Sequence, residues 1–321
     1  MNGSLSKWDG RVGIGLLLVL STAVISGVST FLNTYAVGGT STDAFVTVRN
    51  SLVAVAMVPM ALLATSGTRK GLEKRDWARL AVIGLIGGSI PFLLFFHGLQ
   101  MATQAGGGVT ASFFYRTLFL MAIVMGIVTL GERLRPAALL GAVLLLGGNA
   151  LLLSLTSAIW VDGTGYVVLA TLLWACEYTL SKWTMRDLPS GTVALGRMGF
   201  GAVFLLAYLA FTDQVAAVGA FSAAQWIWVG ISAALLVAFV ATWYEGLRRV
   251  DLGVATSMLV LGFPVTFLLA VALRGSPMSL GQSLGVFAIF AGAALTVGWV
   301  LAREAGTVLR RAVQWGTQVP P

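Results

Sequence analysis

Acidic residues, cysteine and histidine are scarce in this chain of 321 residues. Twelve Asp and Glu stand against twenty Lys and Arg, charged residues of every kind make up only 10% of the sequence, and His97 and Cys176 are the sole members of their types. A single cysteine excludes an intrachain disulfide and a thiolate metal cluster, and a single histidine excludes a His-rich metal site. The His-Glu-x-x-His pattern, the Gly-x4-Gly-Lys-Ser/Thr phosphate loop and the Gly-x-Ser-x-Gly elbow are all missing, so the reading is of a protein that is not an enzyme and needs no cofactor or metal. Long polar stretches are missing too, which leaves no room for a sizeable soluble domain.

What the chain does contain is apolar surface. Hydrophobic residues make up 58% of it and its mean hydropathy is +0.91, values that a water-soluble chain of this length does not carry. The formal net charge of +8 sits in short joints between apolar runs, where it sets membrane orientation, and nucleic acid is not an expected partner. Lys7 and Arg11 precede an apolar run too long for a signal-peptide core, so that run is kept as a span.

Hydropathy and polar breaks predict ten spans: Val12–Val37, Ala44–Ala64, Trp77–Met101, Gly106–Leu130, Pro136–Leu155, Gly165–Trp183, Thr192–Phe211, Ala224–Leu247, Leu252–Leu273 and Leu280–Leu301. Continuous apolar runs without a period of two favour helices over a barrel, so the fold class is all-α integral membrane. Alternate joints place sixteen Lys and Arg on one side and Arg274 alone on the other. Both termini are therefore expected in the cytoplasm of a multi-pass protein of the cell (inner) membrane.

The two halves repeat. Arg49 and Arg197 are 148 residues apart, as are His97-Gly98-Leu99 and Glu245-Gly246-Leu247; Gly141 and Gly148 meet Gly285 and Gly292 at 144. Five spans per half is an odd number, so the second half lies upside down relative to the first. Residues 12–155 and 165–301 are read as inverted five-helix repeats, with 302–321 as a cytoplasmic tail whose Arg310, Arg311 and Trp315 suit an anionic leaflet.

Three local patterns then resemble a known family: Leu130-Gly131-Glu132-Arg133-Leu134 closing span four, Gly165 through Trp174-Ala175 to Lys182 in span six, and Gly262-Phe263-Pro264 in span nine. On these and the ten inverted spans the chain resembles EamA-type members of the drug/metabolite transporter superfamily over nearly its whole length. The resemblance implies a central cavity enclosed by spans one to four and six to nine, with five and ten outside it. The sequence departs from the pattern twice: no proline in the first half matches Pro264, and Arg116 occupies a usually apolar part of span four.

Candidate site residues are the charges that lie inside spans. Arg116 costs roughly 2.5–3.5 kcal/mol to insert, so it faces protein or a watery cavity, either binding solute or gluing helices together. Glu177 is the only carboxylate well inside a span, and a carboxyl in low dielectric suits proton coupling. Arg116 and Glu177 are expected to face the cavity and either pair or bind the carboxylate and amine of a zwitterion, with Tyr115, Trp174 and Tyr178 beside them. Arg49 and Arg197 are expected at opposite mouths as gate or coupling residues, Arg197 near Glu245 and Arg49 near Asn50, His97 and Gln100. Snorkelling arginines and a plain polar anchor at His97 are the competing readings. Gly106-Gly107-Gly108 reads as a hinge or close-packing site.

The function expected from residues and resemblance together is a secondary transporter that exports small organic metabolites, amino acids or similar zwitterions, by alternating access. Its partners are a small-molecule substrate and the lipid bilayer, with possible proton coupling, in a monomer or homodimer. A cationic drug/proton antiporter and a non-transport membrane scaffold are the alternatives.

Overall fold

The computed structural model describes residues 10–36, 41–65, 71–105, 108–133, 136–154, 160–275 and 277–316, and every regular element among them is helical. Among the described residues ten long helices follow one another, with one short turn of helix, Ala216–Gly219, between the seventh and eighth: α1 (Gly10–Ala36), α2 (Thr42–Thr65), α3 (Lys74–Gln104), α4 in two pieces (Gly108–Arg116 and Leu118–Leu130), α5 (Pro136–Leu152), α6 (Thr164–Thr184), α7 (Ser190–Phe211), α8 (Ala223–Leu247), α9 in two pieces (Leu252–Leu259 and Gly262–Arg274) and α10 (Leu280–Gly316). Eight of them are long and apolar enough to cross a bilayer. Of the other two, α5 has 17 residues, and α6 has 21 but carries Glu177 and Lys182.

The outer surface is that of a multi-pass membrane protein. Leu17, Val55, Leu63, Val128, Phe211 and Phe287 are each at least 65% exposed, which water would penalise and acyl chains accept. Helix ends are marked by local chemistry. Glu73 with Asp76 and Ser222 with Gln225 form capping boxes at the starts of α3 and α8. Gly131, at φ +72°, ends α4 in the left-handed conformation, which lets the Glu132 amide bond back to the Gly126 carbonyl.

Helix neighbours obey an exchange rule. α1 packs on α8 and α9, and its repeat-mate α6 packs on α3 and α4, the repeat-mates of α8 and α9. α2 packs on α7, α4 on α9 and α5 on α10, pairs that map onto themselves. The α5–α10 seam shows the relation at atomic detail. A Cβ on Gly141 would meet the Gly292 carbonyl at 2.9 Å and one on Gly292 the Gly141 carbonyl at 2.7 Å, while Gly148 and Gly285 oppose each other at 2.8 and 2.7 Å. Residues equivalent by repeat thus touch crosswise along antiparallel helices, the signature of a two-fold axis between them.

Differences from the sequence reading are local. α3 starts at Lys74 and contains one π-helical turn, Gly84–Ser89, and α10 continues past Leu301 to Gly316. Gly106 and Gly107, Lys7, Arg69, Lys70, Arg135, the side chains of Arg303, Arg310, Arg311 and Trp315, and residues 317–321 lie outside what is described.

Candidate functional site

A cavity of about 750 Å³ penetrates the helix bundle, and every residue lining it belongs to α1–α4 or α6–α9. It runs from exposed Thr103 and Gln104 at the end of α3 down to Trp174, Tyr178 and Arg197 in the interior. At the other end the helices are tied together. Lys182 Nζ donates to the carbonyls of Leu247 (2.9 Å) and Val250 (2.5 Å), Glu132 accepts from the amides of Leu252 (2.6 Å) and Gly253 (3.1 Å), and the Ser190 hydroxyl donates to Glu245. The pathway is open at one end and clasped at the other.

Two broken helices face each other across this space. In α4 the break is at Thr117, whose amide and hydroxyl both bond the Phe114 carbonyl, at 3.0 and 2.7 Å. In α9 it falls at Val260–Leu261, four residues before Pro264, which has no N–H to give the Val260 carbonyl; the Phe263 amide takes that carbonyl instead. At the 145-residue offset that relates Gly108 to Gly253 and Ser112 to Ser257, Thr117 maps to Gly262, one residue past the break in α9, so the breaks are related by the repeat even though only one has a proline. Interrupted helices at a pseudo-two-fold are where inverted-repeat carriers bind their solutes.

Arg116 sits at the break in α4. Its Cζ lies 3.1 Å from the centre of the Phe263 ring at the break in α9, and its Nε has no hydrogen-bond partner. Among the described residues no carboxylate pairs with it. Tyr115 and Trp174 join Phe95 in a ring cluster with centres 4.9 to 5.6 Å apart, and Tyr178 lies tilted against Trp243 at 4.7 Å.

The π turn in α3 organises the remaining charges. Gly87 and Gly88 lie against α6 and α7; a Cβ on Gly88 would stand 2.3 Å from the Arg197 carbonyl, and no side chain fits there. The Gly87 carbonyl accepts from Trp174 Nε1 (3.1 Å) and Arg197 Nη2 (3.3 Å). The Gly88 carbonyl accepts from Asn50 Nδ2 (3.2 Å), and Asn50 Oδ1 in turn takes Arg49 Nε and Nη2 at 3.1 and 3.0 Å. Arg49 also lies 5.3 Å over the Phe92 ring. Fully buried Glu177 accepts from Ser181 Oγ (2.6 Å) and Tyr244 Oη (2.5 Å), and its other oxygen is 3.6 Å from Arg197 Nε.

These pairings correct the sequence reading in three places. Glu177 is partnered by Arg197 and not by Arg116. Glu245 is partnered by Arg249 at 2.5 Å and by Ser190, not by Arg197. Arg49 and Arg197 line one cavity and do not stand at opposite mouths. His97, whose side chain is 51% exposed in the cavity mouth, has Nε2 3.2 Å from Asp43 Oδ2, to which the Tyr208 hydroxyl also donates at 3.4 Å. Asp43, Phe95, Phe263 and Tyr244 are site residues that sequence reasoning did not assign, although Phe263 stood in the pattern Gly262-Phe263-Pro264 and Tyr244 among the aromatic residues expected near the cavity. Among the described residues no cluster of three or more His, Cys, Asp or Glu could hold a metal ion.

Comparison with known proteins gives one family and one fold. The model of the EamA-like transporter family matches residues 13–154 and again 163–298. A crystal structure 19% identical in sequence aligns with a TM-score of 0.71 over 90% of this chain and 98% of its own, a likeness of fold. No curated protein matches.

Proposed function

The chain belongs to the EamA-like transporter family and is a membrane transporter of the drug/metabolite superfamily, and from that premise we propose that it is a secondary transporter exporting small organic metabolites that carry a carboxylate, amino acids among them, by alternating access. Members of this family are transporters and not enzymes.

The observation that carries the reading is Arg116, a guanidinium without an anionic partner at a helix break on the wall of a solute-sized cavity. A cation at mid-span is costly, and a carboxylate from solution supplies the missing countercharge through a charge-assisted, geometrically matched contact. Tyr115, Trp174 and Tyr178 supply the apolar wall that small-molecule sites share. Glu177 is the coupling carboxylate in this reading, because its ion pair with Arg197 links α6 to α7 and a proton would loosen it. The remaining charges form gates: His97 with Asp43 at the open mouth, Glu245 with Ser190 and Arg249 at the clasped end, and Arg49 with Arg197 between them.

The reading takes 12–155 and 165–301 as the repeats and 302–321 as a cytoplasmic tail, both termini being cytoplasmic in the cell membrane. The open mouth then faces outside, the side on which an exporter releases its load. A cationic-drug antiporter is disfavoured by the same lining, since its three arginines outnumber the one lining carboxylate, Asp43.

Counterflow of labelled phenylalanine into proteoliposomes tests the proposal. Arg116→Gln should lower the rate by at least about tenfold and Arg116→Lys by less, as loss of a charge-assisted contact requires. A rate unchanged in Arg116→Gln would remove Arg116 from the solute's path.

A further inference from the structure

The cavity is unbalanced in charge at its inner end. Arg49, Arg116 and Arg197 line it, whereas its only lining carboxylate among the described residues, Asp43, is already engaged by His97 and Tyr208 near the mouth. Glu177 is fully buried and taken up by Ser181, Tyr244 and Arg197. An amine entering beside Arg116 therefore finds no free anionic acceptor and stands in the field of Arg116 and Arg49, the charge of Arg197 being offset by Glu177.

Aromatic faces make up the deficit only in part, because a ring face carries no formal charge. Three of the lining rings are already covered by a guanidinium: Phe263 by Arg116 at 3.1 Å, Phe92 by Arg49 at 5.3 Å and Tyr178 by Arg197 at 5.8 Å. The Phe95, Tyr115 and Trp174 cluster has no described guanidinium over it, and its mutually tilted rings offer faces and edges to a flat apolar body.

We propose that the solute this site fits best is an organic anion, one carboxylate on a flat apolar body with no ammonium group. The inference rests on the reading of Arg116 as the carboxylate anchor. Arg116 takes the carboxylate, the Phe95–Tyr115–Trp174 shelf takes the body, and Arg49 adds to the positive potential. An amino acid of the same body brings an ammonium that must shed water without gaining a partner, so it binds more weakly.

Three compounds with one phenyl body separate the possibilities: 3-phenylpropanoate, phenylalanine and phenethylamine. Calorimetric titration of each into the full chain in lipid nanodiscs should give an affinity about tenfold higher for 3-phenylpropanoate than for phenylalanine, and no saturation with phenethylamine. Arg116→Lys should keep that order, and Arg116→Gln should abolish it while the thermal unfolding transition stays cooperative. Phenylalanine binding as tightly as 3-phenylpropanoate, or more tightly, overturns the anion inference and leaves the transporter reading standing. Binding of neither carboxylate overturns both the inference and the anchor role of Arg116.

Discussion

Neutralising Glu177 is the sharpest probe of the buried cluster between α6, α7 and α8. Its Oε2 lies 3.6 Å from Arg197 Nε, and the two side chains are 0% and 4% exposed, so solvent does little to screen them. At an effective dielectric of about 20, two unit charges at that separation attract by roughly 5 kcal/mol. In Glu177→Gln the amide oxygen can still accept from Ser181 and Tyr244, while the amide nitrogen replaces the oxygen that faced Arg197, so the change removes the charge and the acceptor on that side. Arg197 is left in the interior without a countercharge, and stranding a buried ion in this way costs about 3–5 kcal/mol. Arg197→Met strands Glu177 and should cost a similar amount. Glu177→Gln combined with Arg197→Met leaves no stranded ion, so the double variant should be less destabilised than the sum of the singles by at least about 2 kcal/mol. Unfolding of the purified protein in mixed micelles, followed by tryptophan fluorescence, measures all four corners of the cycle. Costs that add to within about 0.5 kcal/mol would show that the two charges are independent and refute the reasoning.

Three further outcomes are expected. Gly88→Ala brings a Cβ to 2.3 Å from the Arg197 carbonyl, a backbone atom that cannot give way, so the α3–α7 contact should open and the yield of folded protein collapse; a Gly88→Ala protein with normal yield and melting would refute the close packing. Burial raises the pKa of Glu132, against the opposing pull of the Leu252 and Gly253 amides. Its protonated form is thus favoured in the folded state, and the stability it contributes is full below the ordinary carboxylate value of 4.5 and lost as pH rises through the folded value. Melting temperatures of wild type relative to Glu132→Gln should therefore fall as pH increases from about 4.5, and a flat difference would contradict the sign. Lys182→Met frees the carbonyls of Leu247 and Val250, so a cysteine placed at Arg249 in a Cys176→Ser background should react faster with a thiol reagent; an unchanged rate would mean that Lys182 does not hold the clasp.

Much of the architecture was legible because a bilayer allows so few solutions. A run of about twenty apolar residues has little choice but to span, and the spacing of Arg49, Gly141 and Gly148 from Arg197, Gly285 and Gly292 carried the repeat. What stayed hidden was rotation about each helix axis. Depth along a span can be read from position, which is why Arg116 and Glu177 looked like partners, but depth does not say which neighbour a side chain faces. The π turn at Gly84–Ser89 compounds this, because its widened backbone shifts the register of every later residue in α3. Its glycines read equally well as ordinary close-approach positions. The break in α4 was also invisible, since Thr117 achieves with a hydroxyl bonded to the Phe114 carbonyl what Pro264 helps to achieve in α9.

The exchange rule among helix neighbours says where motion belongs in the proposed cycle. Turning such a bundle inside out amounts to letting each repeat adopt the other's shape. The self-paired seams, α5 against α10 and α2 against α7, look the same before and after that trade, so they act as fulcrums. α1 with α8 and α3 with α6 are the couples that must swap conformations. The π turn lies in the α3–α6 couple, and residues 84–89 and their counterparts near 232–237 in α8 are where the backbone should alternately tighten and relax.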